Sequence, residues 1–574
     1  MHFRGIVVGA GKGGRPPVEA AVLAGLAVVV GCLSLGPVLR LVVEAVAPGG
    51  QPGLAVAARV LAAPATWVAA WHTIATSLAG TVISGLLGCA LALALALTDI
   101  RAKGPIVFLF TMLLMVPSQV TAVAWIELTG PASPLLRPLG LAPAPGTSNP
   151  LYSPGGIALL LGIEHAPLVF LTLRAALRAL PADLVEAARA SGAGPGRVLR
   201  TVILPLTAPA LGAGLMLAFV SSIGNFGTPA LLAIPARYPM LTTAIYQRLA
   251  GFGPRVLAEV ATLSMVLGAL AIAGIAAQRA LIGRRDRRLA STGAELPPAE
   301  LGRWRVPVEA LVWLGLAGLL LVPLGALFGT ALVQAYGQPL GVDTVTLANF
   351  RYVLLDHAPT GRALVNSFGL AAAAGALLVG VAVLLAYFGA WRASRLARLL
   401  AHTAELPYAL PGVVLAIACI LLFIRPLPLI GIGLYDTVWI ILLAYLARFL
   451  TLALRPVAAA FAQLDPALEE AAEMTGAGLG RRLATVILPL VAPAAAAGAL
   501  LVFVTAFNEL TVSALLWSSG HETLGVVVFS LEQAGDTVLA AALASATVIV
   551  TALLMLLASR LARGLPRGVL PWQA

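Results

Sequence analysis

Apolar runs of membrane-crossing length, separated by short polar breaks, set the pattern of this chain from end to end. They lie near 18–46, 69–98, 105–129, 156–178, 206–234 and 256–282, and again near 308–335, 363–390, 397–424, 436–460, 490–516 and 537–562. About 20 apolar residues cross roughly 30 Å of hydrocarbon as a helix. The pattern therefore predicts an all-α polytopic membrane protein with about 12 transmembrane helices in two pseudo-symmetric halves. The expected division is a tail over 1–17, a first half over 18–282, a polar linker over 283–306, a second half over 307–562 and a tail over 563–574. Pro117 in the third run is matched with Pro407 in the ninth, and Phe219-Val220 with Phe503-Val504. The first and seventh runs have no internal twin in the sequence.

Composition agrees. Only 10% of the 574 residues are charged and the mean hydropathy is +0.98, against about 25% charged in soluble domains. The first run follows Arg4, Lys12 and Arg15 as a secretory signal would, but it is too long for a signal core and reads as a span. The net charge of +12 would suit nucleic acid if it were clustered on a soluble surface. Instead, with the N-terminus inside, 26 basic residues fall on the inner side and 9 near the outer ends, with Arg448 left within a span. That split is the positive-inside pattern and places both termini in the cytoplasm. The basic linker around Arg284, Arg285, Arg287 and Arg288 reads as a tether beside anionic membrane lipid rather than a nucleic-acid site. Cys32, Cys89 and Cys419 are scattered in apolar runs and suggest neither a disulfide framework nor a metal site.

One polar passage occurs twice. Leu184 to Pro209 reads LVEAARASGAGPGRVLRTVILPLTAP, and Leu468 to Pro493 reads LEEAAEMTGAGLGRRLATVILPLVAP, with 18 of 26 positions identical at an offset of 284. Each copy, over 181–205 and 465–489, predicts a helix, a glycine turn and a second helix on the inner side. Asp465 is the expected N-cap, with Pro466 first in the helix and Glu469-Glu470 at the positive end of its dipole. Gly192 and Gly476 are expected to close the helices in the left-handed conformation. Pro205 and Pro489 are expected to break the second helices before the next span.

The shared pattern, E-A-A-x3-G-x9-V-x-L-P, holds at Glu186, Ala187, Ala188 and Gly192 and again at Glu470, Ala471, Ala472 and Gly476. It resembles the signature loop of ABC-importer permeases, the binding-protein-dependent inner-membrane components. A chain with both copies resembles their fused members, most like ferric-iron permeases and their relatives for thiamine and phosphonates. Gly224 to Leu232 and Leu241 to Tyr246 look similar to stretches of the ferric group. The resemblance implies a type I importer permease fold in a bacterial plasma membrane, with those eight residues docking a cytoplasmic ATPase dimer. It also implies a periplasmic or lipid-anchored binding protein that delivers the solute. The phosphate-binding pattern G-x4-G-K-[ST] occurs nowhere, so ATP and Mg are expected in the partner, with no catalytic site, metal or cofactor on this chain. Gly9 to Gly14 satisfies G-x-G-x-x-G but runs straight into a span and reads as a basic flank.

Ionisable groups inside spans mark pathways or partners. Here they are Glu164, His165, Glu405, Asn508-Glu509 and, near an outer end, Glu127. The offset of 284 makes Glu164 equivalent to Arg448 and Asn225 equivalent to Glu509. Glu164 and Arg448 are expected to face each other across the midline as part of a gate, with Asn225, Asn508 and Glu509 along the pathway. A secondary transporter with an ion site in broken helices is the rival reading. A membrane enzyme would need clustered His, Asp or Cys at one depth.

Overall fold

The computed structural model describes residues 17–561 apart from 52, 254, 283–297 and 427–430. Nearly all of the two expected tails, and residues 283–297 of the expected linker, lie outside the described residues. Among the described residues the chain is helical, with two isolated β-bridges.

The first half runs α1 (Pro17–Ser34), α2 (Gly36–Val46), α3 (Pro64–Leu97), α4 (Lys103–Met115), α5 (Ser118–Thr129), α6 (Pro154–Arg178), α7 (Ala182–Ala190) and α8 (Pro195–Gly224). It closes with α9 (Gly227–Leu232), α10 (Leu241–Leu249) and α11 (Val256–Ile282). The second half repeats this order. It runs α12 (Gly302–Ala331), α13 (Ala358–Trp391), α14 (Arg395–Ala409), α15 (Gly412–Phe423), α16 (Val438–Phe461), α17 (Ala467–Met474), α18 (Leu479–Phe507), α19 (Leu524–Ala534) and α20 (Thr537–Leu561).

Each half is built on three long helices packed together, α3, α6 and α8 in the first and α13, α16 and α18 in the second. In lipid, helices gain from close backbone approach rather than from expelling water. Gly88 on α3 shows this: a Cβ there would sit 2.6 Å from the Ala166 carbonyl oxygen and 2.9 Å from the Phe170 nitrogen of α6.

The structure corrects the reading of the third and ninth runs. Neither is a straight span: α4 and α5 meet at 101°, and α14 and α15 at 108°. Pro117 (φ −57°, ψ 140°) and Pro411 (φ −52°, ψ 138°) sit at the two breaks, so the counterpart of Pro117 is Pro411 and not Pro407. Both prolines are buried in protein, where non-helical backbone at membrane depth can be tolerated.

Pro205 and Pro489 do not break their helices. A single π-turn, Leu199–Ile203 or Leu483–Ile487, precedes each proline and lets the helix run on. Leu204 N–H reaches back five residues to the Leu199 carbonyl, as Leu488 does to Leu483. The wider turn relieves the clash of the proline ring with the preceding turn. The fifth and eleventh runs also end early, at Gly224 and Phe507, where the chain turns inside the protein.

The two runs without a sequence twin are twins in space. α1 packs on α14 and α16 and α2 on α15, all in the second half, while α12 packs on α4 and α5 of the first. Each half thus lends its first span to the other, and the two halves are interlocked.

Candidate coupling loops and their polar anchors

The two repeated passages fold alike. α7 and α17 are short helices ended by Gly192 (φ +82°) and Gly476 (φ +80°), left-handed as expected. Ala193 N–H and Ala477 N–H close back on the Ala188 and Ala472 carbonyls, five residues earlier. Such closures satisfy carbonyls that a helix end otherwise leaves unpaired. The Asp465 carboxylate caps α17, accepting from Ala467 N–H at 2.9 Å. The next helix starts from the same extended glycine in both copies, Gly194 (φ −68°, ψ 164°) and Gly478 (φ −67°, ψ 163°).

The outer faces match as well. Glu186, Ala187 and Gly192 are exposed and Ala188 half-buried; Glu470, Ala471 and Gly476 are exposed and Ala472 half-buried. Leu184 and Leu468, two residues before Glu186 and Glu470, are exposed too. Each loop therefore presents an outward strip of leucine, acid and small residues, on which a partner's backbone could come close.

The inner faces differ. In the first loop Val185 and Val198 are buried. Adding the offset of 284 gives Glu469 and Arg482, which are also buried. Arg482 Nη2 donates to Glu19 Oε1 of α1 at 2.7 Å, and its Nη1 lies 2.7 Å from both Glu469 Oε1 and Glu473 Oε2. The latter two contacts are ion pairs. Arg392, just past α13, donates to Glu19 Oε1 at 2.7 Å and to Glu473 Oε1 at 2.9 Å. Tyr387 O–H donates to Glu469 Oε1 at 2.9 Å. The Arg392 guanidinium holds the Glu473 carboxyl below the usual carboxylate range.

Deeper in the protein the expected pathway residues are joined in pairs, but not in the pairs expected. Glu164 Oε2 accepts from Asn225 Nδ2 at 2.9 Å and its Oε1 from Thr228 Oγ1 at 2.5 Å. Arg448 Nη1 donates to Glu509 Oε1 at 3.3 Å. The Glu164–Arg448 pair across the midline is therefore replaced by two pairs, one in each half, both 61 residues apart in sequence. Each pair joins two elements of its own half. The stitch has the same place in both halves, where the helix before the coupling loop meets the chain just after the following span. Asn225 and Glu509 do a second, identical task by capping the next short turn, at Thr228 N–H (3.2 Å) and Val512 N–H (2.8 Å).

Other polar contacts at these broken spans cross between the halves. Asn508 Nδ2 donates to the Met115 carbonyl at 3.0 Å, the end of α4 where the broken span leaves carbonyls unpaired. Thr330 Oγ1 of α12 donates to Glu127 Oε2 of α5 at 2.7 Å. Among the described residues no group of three or more His, Cys, Asp or Glu is arranged to hold a metal ion.

A family model described as "Binding-protein-dependent transport system inner membrane component" matches the chain twice, over residues 84–286 and 378–570. The chain belongs to that family. It is a two-repeat ABC permease. Family members work in general with an ATPase and a binding protein in the inner membrane. The "Probable ABC transporter permease protein y4fN" of Sinorhizobium fredii is 29% identical over 478 residues, 81% of each chain. The "Ferric transport system permease protein FbpB" of Actinobacillus pleuropneumoniae is 26% identical over 71% of this chain and 58% of its own length. The "Fe(3+)-transport system permease protein FbpB 2" of Haemophilus influenzae is 24% identical over 75% of this chain and 77% of its own.

Within this permease the outward strips of both loops are legible in sequence, and the ionic anchor of the second loop is not. Glu19 was passed over because its partners Arg392 and Arg482 lie 373 and 463 residues away. The available signal was a lone carboxylate in the first turn of an otherwise apolar helix.

Proposed function

We propose that this chain is the complete membrane passage of an ATP-driven importer, both halves being supplied by one polypeptide. A cytoplasmic ATPase dimer docks on the outward strips Glu186-Ala187-Ala188 and Glu470-Ala471-Ala472. Closure of that dimer on ATP draws α7 and α17 together. The unbroken helices α8 and α18, continuous from loop to membrane interior, carry the movement to the paired polar stitches and the breaks at Pro117 and Pro411. Both termini lie in the cytoplasm, and a periplasmic or lipid-anchored binding protein delivers the solute from outside. The single observation that carries this reading is the duplicated loop, with the same Leu-x-Glu-Ala-Ala strip turned outward and directly continuous with a long helix in each half.

The cargo proposed is ferric iron, because relatives aligned over most of this chain bear that name. The test is purification of the chain with its ATPase and iron-loaded binding protein in lipid nanodiscs. The reading expects ATP hydrolysis to rise on adding the loaded protein and to lose that response in Glu186→Arg/Glu470→Arg. ATPase subunits that bind the double variant as tightly as the native chain would refute the docking assignment. A response to other loaded binding proteins and none to iron would refute the cargo alone.

A further inference from the structure

The buried ionic cluster behind the second loop joins segments from distant parts of the chain: α1, the end of α13, and α17 with the start of α18. Glu19 is the hinge pin of the arrangement, since its Oε1 accepts from both Arg392 and Arg482 at 2.7 Å and it is almost fully buried. Two guanidinium groups converging on one carboxylate oxygen fix both arginines, and through Arg482 the loop helix bearing Glu469 and Glu473. Charge-assisted bonds of this kind are the strong, geometrically specific ones. α1 belongs to the first half and α17 to the second. At the offset of 284 the first loop carries Val185, Arg189 and Val198 in place of Glu469, Glu473 and Arg482.

We propose that Glu19 is a positioning residue for coupling, a clamp by which the N-terminal helix of the first half is made to move with the coupling loop of the second. A push on α17 is then delivered along two routes, through its own α18 and through α1 into the packing of α1 and α2 on α14, α15 and α16. The first loop delivers its push along α8. The halves are matched in shape and unequal in transmission. This rests on the reading of α7 and α17 as motor-docking elements, and the test separates the two.

The measurement is amide hydrogen exchange of the full complex with its ATPase in nanodiscs, with and without vanadate-trapped nucleotide. In the native complex, trapping should slow exchange in α17 and in the first turns of α1 together, each by about tenfold. In Glu19→Gln the slowing should persist in α17 and vanish from α1. If α1 responds equally in Glu19→Gln, or does not respond even in the native complex while α17 does, the clamp is overturned and the docking assignment stands. If α17 itself ignores trapping, the docking assignment fails and the clamp with it. Should Glu19→Gln not accumulate, Glu19→Asp keeps the charge and shortens the reach by one methylene. An α1 response unchanged from native in that variant overturns the clamp. A purely structural role for Glu19 would lower stability and leave the linked response of α1 intact.

Discussion

The first and second coupling loops have one shape and two kinds of foundation. Outward, each shows the same leucine, glutamate and small residues; inward, one rests on Val185 and Val198 and the other on Glu469 and Arg482. On the proposed reading the outward face answers to a shared partner. The inward face answers only to its immediate neighbours, and apolar packing or a closed ionic network can hold the same backbone. The two foundations differ in how they fail. Apolar burial loses stability in proportion to the area uncovered. A buried ion network costs desolvation to build and leaves bare charge when one partner is removed.

That difference sets the order of expected effects. Arg482→Ala leaves Glu19 and Glu469 buried with Arg392 as their one remaining cation among the described residues, and should destabilise the loop by about 3 kcal/mol. Val198→Ala, the matching change in the first loop, removes two methyl groups and should cost about 2 kcal/mol. Thermal melting of the two variants in the same detergent checks the ordering, and equal losses would erase the distinction drawn here. The deeper stitches offer the next contrast. Asn225→Asp places a second carboxylate beside Glu164 and should lower uptake severely. Glu509→Gln keeps a hydrogen-bonding side chain at Arg448 and should lower it less. Uptake rates in vesicles, normalised to the amount of inserted protein, decide between them.

Smaller effects are expected where the loops are alike. Gly192→Ala and Gly476→Ala each force a side chain into the left-handed region, at about 1 kcal/mol. The two should therefore be indistinguishable in protease sensitivity of the loop. The smallest effect is that of pH. Glu473 has a lowered folded-state pKa, so its contribution is present above the usual carboxylate value of about 4.3. It is lost as pH falls through the lower folded value. Protection of α17 against exchange should thus fall as pH drops below about 4, while that of α7, which carries Arg189 at that position, stays level.

What the sequence made legible follows the same division. The loops were readable because their signals are local: a proline-led start, a glycine at the helix end and an acid in the first turn act within a few residues. The breaks at Pro117 and Pro411 were not, because hydropathy registers composition and both arms of each broken span are apolar. The π-turns before Pro205 and Pro489 escaped for a related reason. Proline forbids one hydrogen bond, and whether the helix stops or widens depends on what surrounds it. Partners such as Glu164 with Asn225 were hidden by the offset itself. It correctly aligned Glu164 with Arg448 and Asn225 with Glu509, but equivalence is not contact. The exchange of first spans between halves left no trace in sequence, since α1 and α12 share little beyond apolar character.

The central claim is that both loops transmit work from an ATPase to the passage. Its most direct test is uptake into vesicles holding the complete transporter, comparing Glu186→Arg, Glu470→Arg and the double variant under ATP and under an imposed ion gradient. ATP-driven uptake should fall in each single variant and vanish in the double, with no uptake driven by the gradient in any of them. Uptake sustained by a proton or sodium gradient in the double variant would contradict the account.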